Sequence, residues 1–348
     1  MKIIMCFFIF LSSIFVNKNV NSSNSQYINK SYIVINASNN QMIEGKDVHL
    51  VRSVASVSKI MTAIVAIEKG DLNKEVVIEK QDIDTYGSSL YLKEGDKITL
   101  LDLLYGLMLR SGNDAALTIA RVVGGSVENF ASLMNDKAIE IGMNNSSFTN
   151  PSGLDVNEMG NLSTSYDLAL LMSYAIKNEL FLKISGTKQY SGYTGVWVNK
   201  NKLLNIYDKT IAGKTGFTYK AKRTLVTAAK DGDTIFVVVS LDCGNDFNFH
   251  KYLYEKNFAE YRTIKVLEKG ENVINDYQVS CENAILVTIK DENVENYSLV
   301  YHIKGNKGKI YIKTSENTLK IGECEVKKTE KSLEKQGWWG KLKRIFSK

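Results

Sequence analysis

Residues 55–69 read Ala55-Ser-Val-Ser-Lys-Ile-Met-Thr-Ala-Ile-Val-Ala-Ile-Glu-Lys69, and Gly70 comes next. Ile60, Ile64 and Ile67, with Met61 and Val65, recur at helical spacing, so the stretch predicts a helix that ends at the glycine. Ser56 and Lys59 stand at its start, three residues apart, which on a helix puts both side chains on one face. A lysine so placed takes the serine proton if its pKa falls from the reference of about 10.4, and burial or a second cation lowers it. Alone, the pair reads first as a serine cap beside a solvated lysine. The same Ser-x-x-Lys spacing recurs at Ser185…Lys188 and Ser332…Lys335, where nothing assigns it chemistry.

Two further motifs come in order along the chain. Ser111-Gly-Asn113 falls between two predicted helices, where a loop projects side chains into a cleft. The first helix, Thr99 to Leu109, starts from a threonine cap with Asp102 three residues on; the second runs from about Asp114 to Val123 before Gly124-Gly125. Ser111 suits relay of a proton to a leaving amine, and Asn113 suits binding of a substrate amide and of Lys59. Lys214-Thr-Gly216 lies on a predicted strand after Gly213, where a ligand backbone can approach closely. Lys214 offers positive charge and Thr215 a hydroxyl to a carboxylate. The three motifs together hold a nucleophile, a base, a relay and an anion binder, an acyl-transfer set without histidine. The chain has only His49, His250 and His302, each read as a surface or packing residue.

Around these motifs the pattern is mixed α/β. Tyr32-Ile-Val-Ile35 and the turn-rich Asn36-Ala-Ser-Asn-Asn40 predict a hairpin or edge strand. Helices are expected over about 127–141 and 168–176, the latter capped by Thr164 with Asp167 three residues on. Residues 196–242 read as strands, with Lys230-Asp-Gly-Asp233 as a hairpin turn between 223–229 and 234–241. Residues 247–267 read as helical, and about 270–326 as a small separate β domain.

The 348 residues suit roughly two domains at about 150 residues each. An apolar share of 44% with 24% charged indicates a globular chain. The net charge of +6 is concentrated from Lys327 onward, and no basic face with interleaved aromatics argues for nucleic acid. Lys2, before a mostly apolar run from Ile3 to Val16, predicts a secretory signal over residues 1–22; at ~1.5 Å per residue the run is too short to span a bilayer core of about 30 Å. Cys243, Cys281 and Cys324 remain beyond it; a Cys281–Cys324 bridge and free buried thiols are both compatible with the spacing. No Cys/His cluster has zinc spacing, so no metal or other cofactor is expected.

The chain resembles the D-alanyl-D-alanine carboxypeptidases, the low-molecular-mass penicillin-binding proteins of serine peptidase family S11. Ala55 to Ala63 resembles the family's nucleophile segment. Arg110-Ser-Gly-Asn-Asp-Ala115, Asn150-Pro-Ser-Gly-Leu-Asp155, Ser163-Thr-Ser-Tyr-Asp-Leu-Ala169, Asn201-Lys-Leu-Leu204 and Gly213-Lys-Thr-Gly-Phe-Thr218 also match, over about residues 30–265. The resemblance implies a β-lactamase/transpeptidase-like catalytic domain with an antiparallel sheet and a helical subdomain. It implies Ser56 as the acylated nucleophile, Lys59 as its base, Ser111 and Asn113 as the second motif, and Lys214, Thr215 and Gly216 as binders of the terminal carboxylate. The backbone N–H groups of Ser56 and Phe217 would form the oxyanion hole. The implied reaction removes the terminal D-Ala of peptidoglycan stem pentapeptides, with β-lactams as covalent inhibitors. Ser152 stands where the family often has histidine, and Tyr219-Lys-Ala-Lys-Arg-Thr224 departs from the usual Ala-Gly pair and cysteine; Arg223 is a weaker candidate carboxylate binder.

The same residues leave a DD-endopeptidase, a class A-like β-lactamase and a catalytically silent wall-binding protein as alternatives. Gly112, where class A enzymes typically carry aspartate, and the lack of a clear Glu-x-x-Leu-Asn motif favour the carboxypeptidase. In residues 327–348, Trp338, Trp339, Leu342, Ile345 and Phe346 interleave with Lys341, Lys343 and Arg344, a pattern that predicts a short amphipathic helix on an anionic membrane surface. The expected location is extracytoplasmic, on the outer face of the cytoplasmic membrane.

Overall fold

The computed structural model describes residues 31–155, 160–274, 277–304, 306–315 and 318–328. The expected signal segment 1–22 and the tail residues Trp338, Trp339, Leu342, Ile345 and Phe346 lie outside the described residues. A five-stranded antiparallel sheet organises the first part of the chain. Its spatial order is Met42–Lys46, Ser31–Asn36, Thr234–Leu241, Lys222–Asp231 and Thr210–Thr218. The hairpin expected near Tyr32 forms, but its first strand is interior; Met42–Lys46 takes the edge. The turn at 230–233 joins two paired strands as its sequence suggests.

Both faces of this sheet are covered, so its strands read as apolar runs rather than alternating ones. Ile33, Ile35, Val237 and Val239 pack on one side with Ile60, Ile64, Leu168 and Leu171. Val34, Phe236 and Val238 pack on the other beneath Leu253, Tyr254 and Phe258 of helix Asp246–Glu260. Each such side chain contributes about 1.5–3 kcal/mol when fully buried. Helix Lys59–Lys69 runs through the interior: every residue from Lys59 to Ala66 is buried.

Helices Lys80–Ile83, Leu100–Tyr105, Asn113–Gly124, Val127–Ile141, Ser165–Ala175 and Glu179–Gly186 make up the rest of the helical region. Thr99 Oγ1 accepts from Asp102 N at 3.0 Å and Thr164 Oγ1 from Asp167 N at 3.0 Å, as the cap motifs predict. The helix expected to reach Leu109 instead widens into a π-type turn over Gly106–Arg110. A short helix, Leu203–Ile206, interrupts the region read as strands.

The helix expected over 247–267 stops at Glu260. Tyr261–Leu267 is a strand, paired antiparallel with Ile285–Lys290. Thr263, Ile264 and Val266 are β-branched, and the partner strand supplies the pairing that a helix would forgo. A second five-stranded sheet comes next, in the order Gly270–Ile274, Tyr277–Cys281, Thr318–Lys328, Lys307–Lys313 and Ser298–Lys304. Leu267, Val279, Ile310 and Val326 form a core beneath it, and a disulfide joins Cys281 to Cys324. The junction between the first sheet and the strand pair Tyr261–Leu267/Ile285–Lys290 is polar. Buried Asn36 Nδ2 donates to Thr263 Oγ1 and Thr288 Oγ1, both at 2.7 Å, and Gln41 exchanges hydrogen bonds with the Thr288 backbone.

Candidate active site

Ser56 sits in a single 3-10 turn, Ala55–Ser58, which leads into helix Lys59–Lys69. In that tighter turn residues i and i+3 eclipse, so Lys59 is brought directly toward Ser56. Ala55 enters the turn with φ +53, a left-handed conformation that is costly for a residue with a Cβ. Ser58, the other serine of the motif, donates to Ala55 O at 2.8 Å and fastens the turn. Gly153, itself at φ +78, lies so close to the Ala55 carbonyl that a Cβ could not be accommodated there.

Lys59 is fully buried. Its Nζ lies 3.1 Å from Ser56 Oγ, 2.8 Å from Asn113 Oδ1 and 2.5 Å from Ser152 O. All three partners are neutral. Burial, reinforced by the nearby charge of Lys200, lowers its pKa to about 7. Two of the three contacts are carbonyl oxygens, which only accept. A neutral amine gives them its two N–H bonds and turns its lone pair to the serine hydroxyl.

Asn113 opens helix Asn113–Gly124, and its Nδ2 donates to Tyr86 O at 2.6 Å, which orients Oδ1 toward Lys59. Ser111 precedes it with φ +64 and accepts from Lys214 Nζ at 3.0 Å. Lys214 reaches the same centre from the edge strand Thr210–Thr218 and also donates to Thr215 O at 2.8 Å. Burial, with repulsion from Lys59 and Lys200, holds its pKa well below the usual lysine value. Gly216 brings this strand against the nucleophile turn: a Cβ there would lie 3.0 Å from Ser56 N.

Ser56, Ser111, Asn113, Thr215, Gly216 and the exposed Phe217 thus face one open cleft of about 810 Å³. The three motifs, about 50 and 100 residues apart in the chain, converge on it. The histidines do not. His250 is buried against Thr227 Oγ1 at 2.7 Å and Ser240 Oγ at 2.8 Å, while His49 packs on Tyr166 and His302 on Tyr311. Ser185 is buried and bonds the Leu182 carbonyl; Ser332…Lys335 lies outside the described residues. Arg223 lines the cleft, but Asp246 holds its guanidinium at 2.7 and 3.1 Å.

Two contributors escaped sequence reasoning. Ser152 acts through its backbone carbonyl, so its side-chain identity carries no signal. The signal was the turn chemistry of Asn150-Pro-Ser-Gly: Asn150 Oδ1 accepts from Ser152 N, Ser152 Oγ and Gly153 N, which aims that carbonyl at Lys59. Lys200 lines the cleft and donates to Ser88 Oγ at 2.7 Å. Its position beside Asn201-Lys-Leu-Leu204 was the available cue.

A serine and a buried lysine on a helix start, facing the edge strand of an antiparallel sheet, define an active-site serine acyl-transfer enzyme. Comparison with known proteins narrows this. The family model described as D-alanyl-D-alanine carboxypeptidase matches residues 18–245. The chain is 30% identical over 305 residues to the D-alanyl-D-alanine carboxypeptidase DacF of Bacillus subtilis, covering 80% of this chain and 77% of that one. A crystal structure of a D-alanyl-D-alanine carboxypeptidase from Mycobacterium tuberculosis superposes with a TM-score of 0.63 at 31% identity, covering 66% and 91% of the two chains. Penicillin-binding protein 5 from Haemophilus influenzae shares the fold at a TM-score of 0.78 and 21% identity, over 86% of this chain and 96% of that chain. The chain belongs to the S11 family of serine D-alanyl-D-alanine carboxypeptidases.

Proposed function

We propose that Ser56 attacks the carbonyl of the penultimate D-Ala in a peptidoglycan stem pentapeptide, with Lys59 as its base. The observation that carries this reading is the set of three neutral contacts around Lys59, which leaves its lone pair for the serine proton. The carbonyl oxygen becomes an oxyanion between the backbone N–H groups of Ser56 and Phe217. The substrate's terminal carboxylate meets Lys214 and Thr215. Its negative charge stabilises the proton on Lys214, so the positive charge of the lysine pair settles there and Lys59 stays neutral. Ser111, bonded to Lys214, passes a proton to the departing amine of D-Ala. Water then hydrolyses the Ser56 ester with Lys59 again taking the proton. β-Lactams acylate the same serine.

Ser56→Ala is expected to abolish D-Ala release and covalent labelling by a fluorescent penicillin; labelling that persists would refute this nucleophile. Mass spectrometry of muropeptides before and after incubation is expected to show loss of one alanine from pentapeptides and no cleavage of crosslinks.

We further propose a catalytic unit over about residues 30–265, carried on the β unit of about 270–326. Residues 1–22 serve as a secretory signal, and residues 327–348 attach the enzyme to the outer face of the cytoplasmic membrane. Among the described residues no helix is long and apolar enough to cross a membrane. The support is the alternation of Trp338, Trp339, Leu342, Ile345 and Phe346 with basic residues. Deletion of residues 337–348 is expected to release the protein from anionic vesicles; unchanged association would refute the anchor.

A further inference from the structure

Tyr91 stands at the cleft mouth in an unusual way. Its neighbours Leu90 and Leu92 are buried, yet Tyr91 between them is 78% exposed. Buried Asp114 accepts from Leu90 N at 2.8 Å and from Ser89 Oγ at 2.5 Å, and Ser89 Oγ in turn accepts from Tyr91 N at 2.9 Å. Held this way, Tyr91 has φ +63, a left-handed backbone that a bulky residue adopts only under constraint. Its ring meets no aromatic partner among the described residues. It lines the same cleft as Ser56 and Phe217. Phe217 is 58% exposed and packs edge-on, at 6.0 Å, against the still more exposed Tyr219. None of these rings has a part in the acyl-transfer steps.

The cleft is also large for its substrate's end. About 810 Å³ lies in the upper range for drug-sized ligands, well beyond a D-Ala-D-Ala terminus. Four stem residues upstream of the scissile bond reach roughly 13 Å or more from Ser56 at about 3.3 Å per residue. The polymer that carries the stem therefore comes to the mouth. A pyranose ring has an apolar C–H face and a hydroxylated edge. A free-standing tyrosine matches it, with an apolar ring face and a polar tip in water. An aliphatic stem side chain would instead call for an enclosed pocket.

We propose that Tyr91 is a sugar-binding platform that engages the glycan to which the stem peptide is attached, so that the enzyme favours glycan-linked stems over free pentapeptide. This rests on the carboxypeptidase reading above. The test compares kcat/KM for D-Ala release from a free pentapeptide and from the same pentapeptide on its N-acetylglucosaminyl–N-acetylmuramyl disaccharide, using the full chain. The wild type is expected to prefer the disaccharide-linked substrate about tenfold, chiefly through KM. Tyr91→Asn, which tolerates the left-handed backbone, is expected to erase that preference while changing free-pentapeptide turnover less than twofold. Tyr91→Trp is expected to keep it. No preference in the wild type, or an equal loss on both substrates in Tyr91→Asn, would overturn the proposal. Failure to release D-Ala from either substrate would strike the carboxypeptidase reading itself. The platform is then decided by saturation-transfer NMR with the disaccharide alone: signal lost in Tyr91→Asn upholds it, and no signal in the wild type sinks it.

Discussion

Two regions of this molecule bury lysine in opposite ways. In the cleft, Lys59 and Lys214 have only neutral partners, and burial drives both pKa values down. On helix Val127–Ile141, Lys137 is nearly as buried, but Glu68 and Glu140 each approach its Nζ to 2.6 Å and Tyr174 to 3.3 Å. Those partners overcome desolvation and raise its pKa. Desolvation acts on both; the presence of carboxylates decides the sign. The second region holds a permanent cation that ties two helices together. The first holds two desolvated amines, of which Lys59 is brought to a pKa of about 7.

The sharpest break of this contrast is Lys59→Met. Loss of the base is expected to lower penicillin acylation and D-Ala release about 10³–10⁴-fold, near the upper end for general-base removal. Chemical denaturation should show only a small change, within about 1–2 kcal/mol, because relief of the desolvated amine is offset by the unpaired Asn113 Oδ1 and Ser152 O. A second test is pH. With Lys59 titrating near pH 7, the acylation rate should fall about tenfold per unit below that point, as the protonated amine cannot accept the serine proton. A flat profile from pH 5 to 8 would remove Lys59 as base.

His250 sharpens the meaning of that profile. Burial lowers its pKa to about 3 from an ordinary 6.5. The unfolded chain therefore binds a proton that the folded one refuses across that window. Stability should decline by roughly 1.4 kcal/mol per unit as pH falls from about 6.5 toward 3, measured by urea denaturation. In His250→Gln the slope should flatten. Activity lost above pH 6.5 therefore owes nothing to this group.

Lys137→Met works on the other region. It leaves Glu68 and Glu140 without their cation and is expected to cost about 1–3 kcal/mol in denaturant titration, with kcat/KM unchanged. Lys200→Met should give the smallest effect: an upward shift of the acid limb by less than about one pH unit, since Lys200 reinforces the lowered pKa of Lys59 from an exposed position.

Much of the fold was legible locally. The caps at Thr99 and Thr164, the end of helix Val127–Ile141 at Gly142 and the hairpin at 230–233 arise from side chains acting on their own backbone. The failures share a cause. The helix expected to run to Leu267 ends at Glu260 because Ile285–Lys290, beyond an intervening hairpin, pairs with Tyr261–Leu267. The strand at Tyr32 is interior because Met42–Lys46 pairs outside it, and nothing local in the sequence reveals that pairing.

By itself the sequence determined which groups are present: a serine and lysine three residues apart, a Ser-Gly-Asn turn, a Lys-Thr-Gly strand, and only three histidines. Tertiary structure decided what those groups are chemically. Lys59 is an amine with a pKa lowered to about 7 because packing strips it of water and surrounds it with neutral partners; Lys137, the same residue type, is a fixed cation because two carboxylates come with it. Charge state depends on what surrounds a group in space, and that surrounding is drawn from segments about a hundred residues apart.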